Sequence, residues 1–208
     1  MSRLKADVAP GGTCPERATA RRGSPALLRA TRAGGLKARK ARPADVPAIH
    51  ALIAHYAAQG LLLPRTEDDV RAHISRFLVL AEQGRVLGCV ALEPYGPDLA
   101  EIRSLAVDPE TRGRGLGVRL VRFALAQARQ CKIARVFAMT HAPEFFGRQG
   151  FATSTRWVLP EKIAKDCCTC PKARTCELVA VVATPLNARG AGPGEPLLTS
   201  TSNPAPVV

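Results

Sequence analysis

Aromatic side chains are scarce in this 208-residue chain: six Phe, two Tyr and one Trp, 4% of the residues. Surfaces that hold single-stranded nucleic acid stack bases on aromatic rings set among basic residues, and no such interleaving occurs here. No apolar run approaches the ~20 residues that a membrane-spanning helix needs. No apolar secretory signal opens the chain either. Acidic residues are few, 17 against 30 Lys and Arg, which leaves a net charge of +13. The shortage is uneven: residues 1–42 hold eleven basic and two acidic side chains, the remainder nineteen and fifteen. The basic character therefore belongs to an N-terminal arm. Such an arm either touches nucleic acid or anionic lipid or is solvated chain, and the second reading is preferred for a bare charge run. The seven cysteines are odd in number, which argues against a disulfide framework and for a soluble protein of the reducing cytoplasm.

What is present suits one domain. At 46% hydrophobic, the chain can bury a single core but not two large ones. Residues 1–35 lack periodicity and read as a disordered basic leader. Residues 184–208, with five prolines among Gly, Ser and Thr, read as a disordered tail. Between them, residues 36–183 alternate between the two periods. Lys37 to Arg42 is a first strand. Asp45 caps a helix along Val46, Ile49, Ile53 and Tyr56, closed by Gly60, and Thr66 caps a second. Phe77 to Leu80 and Val86 to Leu92 are strands about the turn at Glu82–Arg85. Ala100 to Val107 is a strand, and Leu116 to Gln130 a helix with one apolar stripe. Val136 to Thr140 is a strand, Pro143 to Gln149 a short helix, and Leu178 to Ala183 a last strand. This order predicts an α/β (α+β) domain: a mixed, mainly antiparallel sheet flanked by helices.

The most informative stretch is 101–117. Strict alternation would put Ile102 and Leu105 on opposite faces of their strand, so the apolar phase slips near Arg103 and Ser104. A β-bulge in this central strand is the expected cause. The strand runs into Arg112-Gly113-Arg114-Gly115-Leu116-Gly117 at the head of a helix. The glycines permit a tight turn and close approach of a ligand, and the helix start offers free N–H groups. The loop suits a pyrophosphate. It lacks the Lys-Ser/Thr of a P-loop and the glycine spacing of the dinucleotide fingerprint.

Arg-x-x-Gly-x-Gly after a strand ending Leu105-Ala106-Val107-Asp108-Pro109 resembles the acetyl-CoA loop of the GCN5-related N-acetyltransferases. The order of elements over 37–183 and the segment Phe145-Phe146-Gly147-Arg148-Gln149-Gly150-Phe151 are similar to that fold as well. More narrowly, four segments resemble the short bacterial N-acetylglutamate synthases: Gly60–Thr66, Glu101–Ser104, Ala142–Phe146, and the run from Lys165-Asp166-Cys167 through Cys170-Pro171 to Cys176-Glu177. The resemblance implies acetyl transfer from acetyl-CoA to the α-amine of glutamate, the first step of arginine synthesis. Longer members add an arginine-sensing domain for which the residues before the first strand are too few.

By position, the resemblance assigns main-chain groups of Leu105, Ala106 and Val107 to the pantetheine arm and Arg112 through Gly117 to the pyrophosphate. Glu101 falls where an acid lies near the substrate amine, as proton acceptor or orienting group. Arg65, Arg103 and Ser104 fall at the acceptor, where Arg suits a carboxylate; Arg65 could equally be a solvated loop residue. The superfamily's Tyr, which protonates the departing thiolate, corresponds to Phe146. Ser104, Thr140, His141 or water must substitute, or the thiolate leaves unaided.

Cys167, Cys170 and Cys176 offer three thiolates to a structural zinc, but a closed site takes four ligands and no second Cys-x-x-Cys exists. Plain loop thiols are preferred, and no metal is expected to be required. Three readings stay open: an N-acetylglutamate synthase, an acetyltransferase of another small amine or a protein terminus, and a non-catalytic acyl-CoA-binding regulator. Arginines at 65 and 103 suit a diacid and repel a polycation. A homodimer is open.

Overall fold

A computed structural model describes residues 35–185. The leader and the tail expected from the sequence lie outside the described residues, apart from Gly35, Thr184 and Pro185. The elements in chain order are β1 (Lys37–Lys40), α1 (Val46–Ala57), α2 (Glu67–Ala72), β2 (Phe77–Glu82), β3 (Arg85–Pro94), β4 (Leu99–Val107), α3 (Leu116–Gln130), β5 (Arg135–Thr140), α4 (Pro143–Gly147), β6 (Ala152–Ser154), α5 (Pro160–Lys165) and β7 (Val179–Ala183). The strands form one seven-stranded sheet in the order β1-β2-β3-β4-β5-β7-β6. Every neighbouring pair is antiparallel except β4 and β5, which run parallel.

Each face of the sheet carries its own core. On one, the stripe Leu116, Leu120, Val121, Ala124, Leu125 and Ala128 of α3 packs on Leu78, Leu80, Val90, Ile102 and Leu105, with Phe145 and Phe146 of α4. Gly88 lets α3 come close: a Cβ there would lie 3.0 Å from the Ala106 carbonyl oxygen and from Leu120 Cδ1. On the other face, Val46, Ile49, Ile53 and Tyr56 of α1 cover Phe77, Val79, Cys89 and Ala106. Further along that face, Leu99, Phe137, Met139 and Ala180 gather around Leu159, just ahead of α5. The face over Glu93, Glu101 and Arg103 lies between these two coverings.

Most boundaries follow the sequence reading, and α3 spans the residues expected. The Gln83-Gly84 hairpin turn has both φ angles positive, at 50° and 85°, as a tight two-residue hairpin demands. Thr66 caps α2, its hydroxyl accepting from the Asp69 N–H at 3.1 Å. Asp45 is the N-cap residue of α1 as expected, but its side chain accepts no hydrogen bond from the helix. It sits in a 3-10 turn, where its carboxylate accepts from the Arg39 guanidinium at 2.6 and 2.9 Å and from the Arg42 N–H at 2.7 Å. Two elements are additional, β6 and α5; neither contains a buried residue, so neither leaves a periodic signal. Among the described residues, no helix is long and apolar enough to cross a membrane.

Candidate active site

The expected bulge lies in the middle of β4. Ile102 and Leu105 both join the α3-side core although three residues apart. The register against β3 shifts between Cys89 and Ala91, opposite Ser104. Ser104 takes up the extra residue with φ +53°, in the left-handed region, which costs a non-glycine residue energy and marks strain at this point. β4 also parts from β5. The two strands pair only from Leu99 to Glu101, against Arg135 to Phe137, while β5 continues to Thr140 against β7. Residues 102–107 therefore turn an unpaired edge toward β5. An extended ligand with amide groups can add to such an edge as a strand would.

At the far end of that edge is a cavity of about 210 Å³ lined by Val107, Thr111, Arg112, Gly113, Gly115, Leu116, Gly117, Val118 and Phe145. Gly113 and Gly115 have φ of +81° and +68°, and Gly115 is the N-cap of α3. The turn delivers the first-turn N–H groups of Leu116, Gly117 and Val118, which have no intrahelical acceptor, to the cavity wall. N–H groups at the positive end of a 15-residue helix are suited to a phosphate. Arg112 reaches this cavity. Arg114 is held elsewhere, by Glu82 at 2.9 and 3.2 Å. Tyr56 donates to the Val107 carbonyl at 2.6 Å from within the core, fixing the strand end where the loop begins. A larger open cleft of about 430 Å³ lies between α1 and the β2–β3 turn, walled by Ala48, Ala51, Leu52 and His55 on one side and Arg85, Val86 and Asp108 on the other, and does not include Glu101.

At the point where β4 and β5 part, charged side chains converge. Glu101 is 3% exposed. It accepts from Lys162 Nζ at 2.8 Å and lies 2.8 Å from the Tyr95 hydroxyl. Asp166 Oδ2 accepts from Lys162 at 2.8 Å and Arg103 at 3.3 Å and contacts the same hydroxyl, which has one proton and donates to one carboxylate at a time. Glu93, opposite Glu101 on β3, pairs with Arg76 at 2.6 Å, Lys165 at 2.7 Å and Arg103 at 3.1 Å. Burial, and then the Glu101 charge, push the Tyr95 phenol well above its ordinary pKa, so it stays a neutral donor. Burial works against the charges of Lys162 and Arg103, but the surrounding carboxylates outweigh it and raise both above their ordinary values. Asp166 is likewise held below the usual carboxylate range: burial opposes ionisation, and the hydrogen bonds from Lys162 and Tyr95 overcome it. Lys162, Arg103 and Asp166 are therefore charged at neutral pH.

The chain is similar in sequence and in structure to known proteins. The model of the acetyltransferase (GNAT) family matches residues 46–151, half of the chain. An uncharacterised N-acetyltransferase of Chlorobaculum tepidum is 40% identical over 146 residues, covering 70% of this chain and 94% of that protein. The chain belongs to the GNAT acetyltransferase family. It is an acetyl-CoA-dependent N-acetyltransferase. The match extends to an amino-acid acetyltransferase of Neisseria meningitidis, 39% identical over 62% of this chain, although the match spans only 30% of that longer protein. In structure the chain is similar to N-acetylglutamate synthase of Neisseria gonorrhoeae complexed with coenzyme A and N-acetyl-glutamate. The TM-score is 0.64 and the identity 32%, over 72% of this chain and 35% of that one.

Within this GNAT frame the sequence-derived residues divide. Glu101, Arg103 and Ser104 meet at the parting of β4 and β5, and the glycine loop stands at the end of the same strand. Arg65, between α1 and α2, hydrogen-bonds to Asp69 at 2.9 Å; among the described residues, no hydrogen bond or ion pair joins it to the Glu101 cluster. Phe146 is fully buried, edge-to-face against Phe145 and Phe151. Thr140 is buried and its hydroxyl accepts from the Ala142 N–H, while His141 is exposed. Cys167, Cys170 and Cys176 are free thiols in 3-10 turns and loops. Among the described residues, no three His, Cys, Asp or Glu side chains group to hold a metal ion. The sequence reading missed Glu93, Tyr95, Lys162 and Arg76. Their signal was faint: one acid closing an apolar strand, and a Lys162/Asp166 pair at helical i,i+4 spacing.

Proposed function

We propose that this acetyltransferase acetylates the α-amine of L-glutamate, the reaction that opens arginine biosynthesis in the enzymes it resembles. The observation that carries the reading is the pair of half-buried cations, Arg103 and Lys162, beside Glu101 at the mouth of the β4–β5 gap. Four cations (Arg76, Arg103, Lys162, Lys165) face three carboxylates (Glu93, Glu101, Asp166) there. The excess is positive, which favours an anionic acceptor over a polyamine. Similarity to the synthase complexed with N-acetyl-glutamate supports the same choice.

In this reading the backbone edge of residues 105–107 holds the pantetheine arm, and the main-chain N–H groups of the loop from Arg112 to Gly117 hold the pyrophosphate. Glu101 takes the proton that the ammonium must lose before its nitrogen attacks the thioester carbonyl. Arg103 and Arg65 bind the carboxylates; Arg65 must leave Asp69 to do so. When the C–S bond breaks, the attacking nitrogen gives up its second proton and the thiolate gains one, a transfer relayed through the Ser104 hydroxyl, held at the bulge, or through water; Phe146 has no proton to give. No residue here requires a metal for acyl transfer from a thioester.

The experiment is coenzyme-A release from acetyl-CoA across the amino acids and a polyamine. Glutamate is expected to outperform glutamine by about tenfold or more, because the neutral amide leaves a guanidinium underpaired. Equal use of glutamine, or preference for the polyamine, overturns the glutamate assignment and leaves the acetyltransferase standing.

A further inference from the structure

We infer that Lys162 and Tyr95 complete, with Arg103, the seat of one acceptor carboxylate, and that Asp166 is an intramolecular competitor for that seat. The inference rests on the glutamate reading above and gives Lys162, Tyr95 and Asp166 roles that the reading leaves open.

Three observations lead to it. First, Lys162 Nζ at 2.8 Å, Arg103 Nη1 at 3.3 Å and the Tyr95 hydroxyl all converge on one oxygen, Asp166 Oδ2. A cation, a guanidinium and a neutral hydroxyl on a single carboxylate oxygen is the donor set that a bound acid requires. It lies beside the proton acceptor, because the same Lys162 nitrogen is 2.8 Å from Glu101. Second, the set is not saturated. Arg103 Nε is buried without a hydrogen-bond partner, a donor left unsatisfied while Asp166 holds the seat and free for a second carboxylate oxygen once Asp166 moves aside. Third, Asp166 is placed to leave. It lies at the C-terminal end of α5, with its side chain 28% exposed against 13% for Lys162. Neither α5 nor the Cys167–Thr169 turn after it buries a residue. Asp166 can swing to solvent while Lys162 stays tied to Glu101 and Tyr95 and Leu159 remains in the core.

The charge balance agrees. Without Asp166 the cluster holds four cations and two carboxylates, an excess of two. Glutamate with its amine deprotonated for attack carries two negative charges. An internal carboxylate that occupies the seat most of the time raises the apparent acceptor KM by the reciprocal of the open fraction. It also excludes neutral amines that cannot displace it.

The test is steady-state kinetics on the full chain for wild type, Asp166→Asn, Asp166→Ala and Lys162→Met, varying glutamate and acetyl-CoA separately, with thermal melts as the folding control. Removing the competitor should lower the glutamate KM by about threefold or more in both Asp166 variants, and Lys162→Met should raise it about tenfold, with the acetyl-CoA KM unchanged throughout. Asp166→Asn keeps the shape of the side chain, so one neutral variant remains if the alanine does not fold. If wild type prefers glutamate but both Asp166 variants leave its KM unchanged or raise it, the inference falls and the glutamate reading survives: Asp166 then only holds Lys162 in place. If neither wild type nor Asp166→Ala uses glutamate, both fall together.

Discussion

Downstream of Val107, β4 feeds a loop in which the proposed ligand contacts are main-chain N–H groups, set by two left-handed glycines and a helix start within six residues of sequence. Upstream, at Glu101 and its neighbour Glu93, the contacts are side chains from β3, β4, α5 and the residues next to them, with partners as far as 72 positions apart in sequence. The loop end keeps a cavity of about 210 Å³, whereas the Glu101 end is filled by its own ion pairs. A pyrophosphate is common to every user of acetyl-CoA and can be met by backbone geometry. An acceptor differs from one family member to the next and must be met by side chains, which are free to change. The comparison teaches where to look for specificity: in the segment that folds back after β6, not in the loop that identifies the family.

The largest effect should come from Glu101. Glu101→Gln keeps the size and the hydrogen bond to Tyr95 but removes the proton acceptor, and kcat should fall by about 10²- to 10³-fold. The deficit should be deepest at low pH, where free amine is scarce, and should shrink as pH rises and solvent deprotonates the acceptor. A pH–rate profile of both proteins checks this; superimposable profiles would reduce Glu101 to an ion-pair partner of Lys162.

Next comes the loop. At Gly115 a Cβ meets nothing within 4 Å, but φ is +68°, where a β-branched residue is a steric outlier. Gly115→Val should therefore act by turning the first-turn N–H groups of α3 away from the phosphate rather than by filling the cavity. Loss of coenzyme-A affinity of at least about tenfold, near 1.4 kcal/mol, is expected by calorimetry. Unchanged affinity in a folded variant would remove the loop from the site.

The same contrast explains what could be read in advance. α3 was legible to the residue because one face of it is continuously apolar, and the bulge was legible because Ile102 and Leu105 cannot share a face without it. A site built from consecutive backbone groups leaves its glycines side by side. The acceptor end leaves no such trace. Tyr95 and Lys162 are single polar residues in unremarkable surroundings; the β3–β4 hairpin sets Tyr95 beside Glu101, and Lys162 arrives only when the β5–β7 half of the sheet carries α5 back over β4. The helix that delivers Lys162 buries nothing, so hydrophobic periodicity could not reveal it. Asp45 misled for a related reason: its sequence position is that of a helix cap, but Arg39, across the β1 turn, offers a charge-assisted bond in place of the helix N–H groups.

The charge cluster should also register in acid. Burial disfavours the Glu93 carboxylate, but Lys165, Arg103 and Arg76 outweigh that and hold it below its ordinary value of 4.5, as Lys162 and Tyr95 hold Asp166 below 3.8. A depressed folded-state pKa stabilises the fold fully above the unfolded value and ceases to do so as pH falls through the folded one. The melting temperature should thus be flat from about pH 7 to 5 and decline below about 4.5. Glu93→Gln should melt lower at neutral pH, because Arg76, Arg103 and Lys165 lose the carboxylate they share, and should show a shallower acid decline. A parallel decline would place the acid-sensitive groups elsewhere.

The smallest expected difference separates two arginines that the sequence treats alike. Arg112 lines the loop cavity. Arg114 is 44% exposed and forms an ion pair with Glu82 across the surface, an interaction worth under about 1 kcal/mol. If the loop holds the pyrophosphate mainly through backbone N–H groups, neither arginine is essential, and their contributions should follow their distance from the cavity. Arg112→Ala should raise the acetyl-CoA KM by about three- to tenfold and Arg114→Ala by no more than about twofold. Adding salt should narrow the gap, since a solvent-facing charge is screened within ~8 Å at physiological ionic strength. Equal losses would mean that Arg114 leaves Glu82 when the coenzyme binds, and Glu82→Gln, which frees Arg114, should then tighten acetyl-CoA binding. If Arg114 stays with Glu82, that substitution should leave the affinity unchanged.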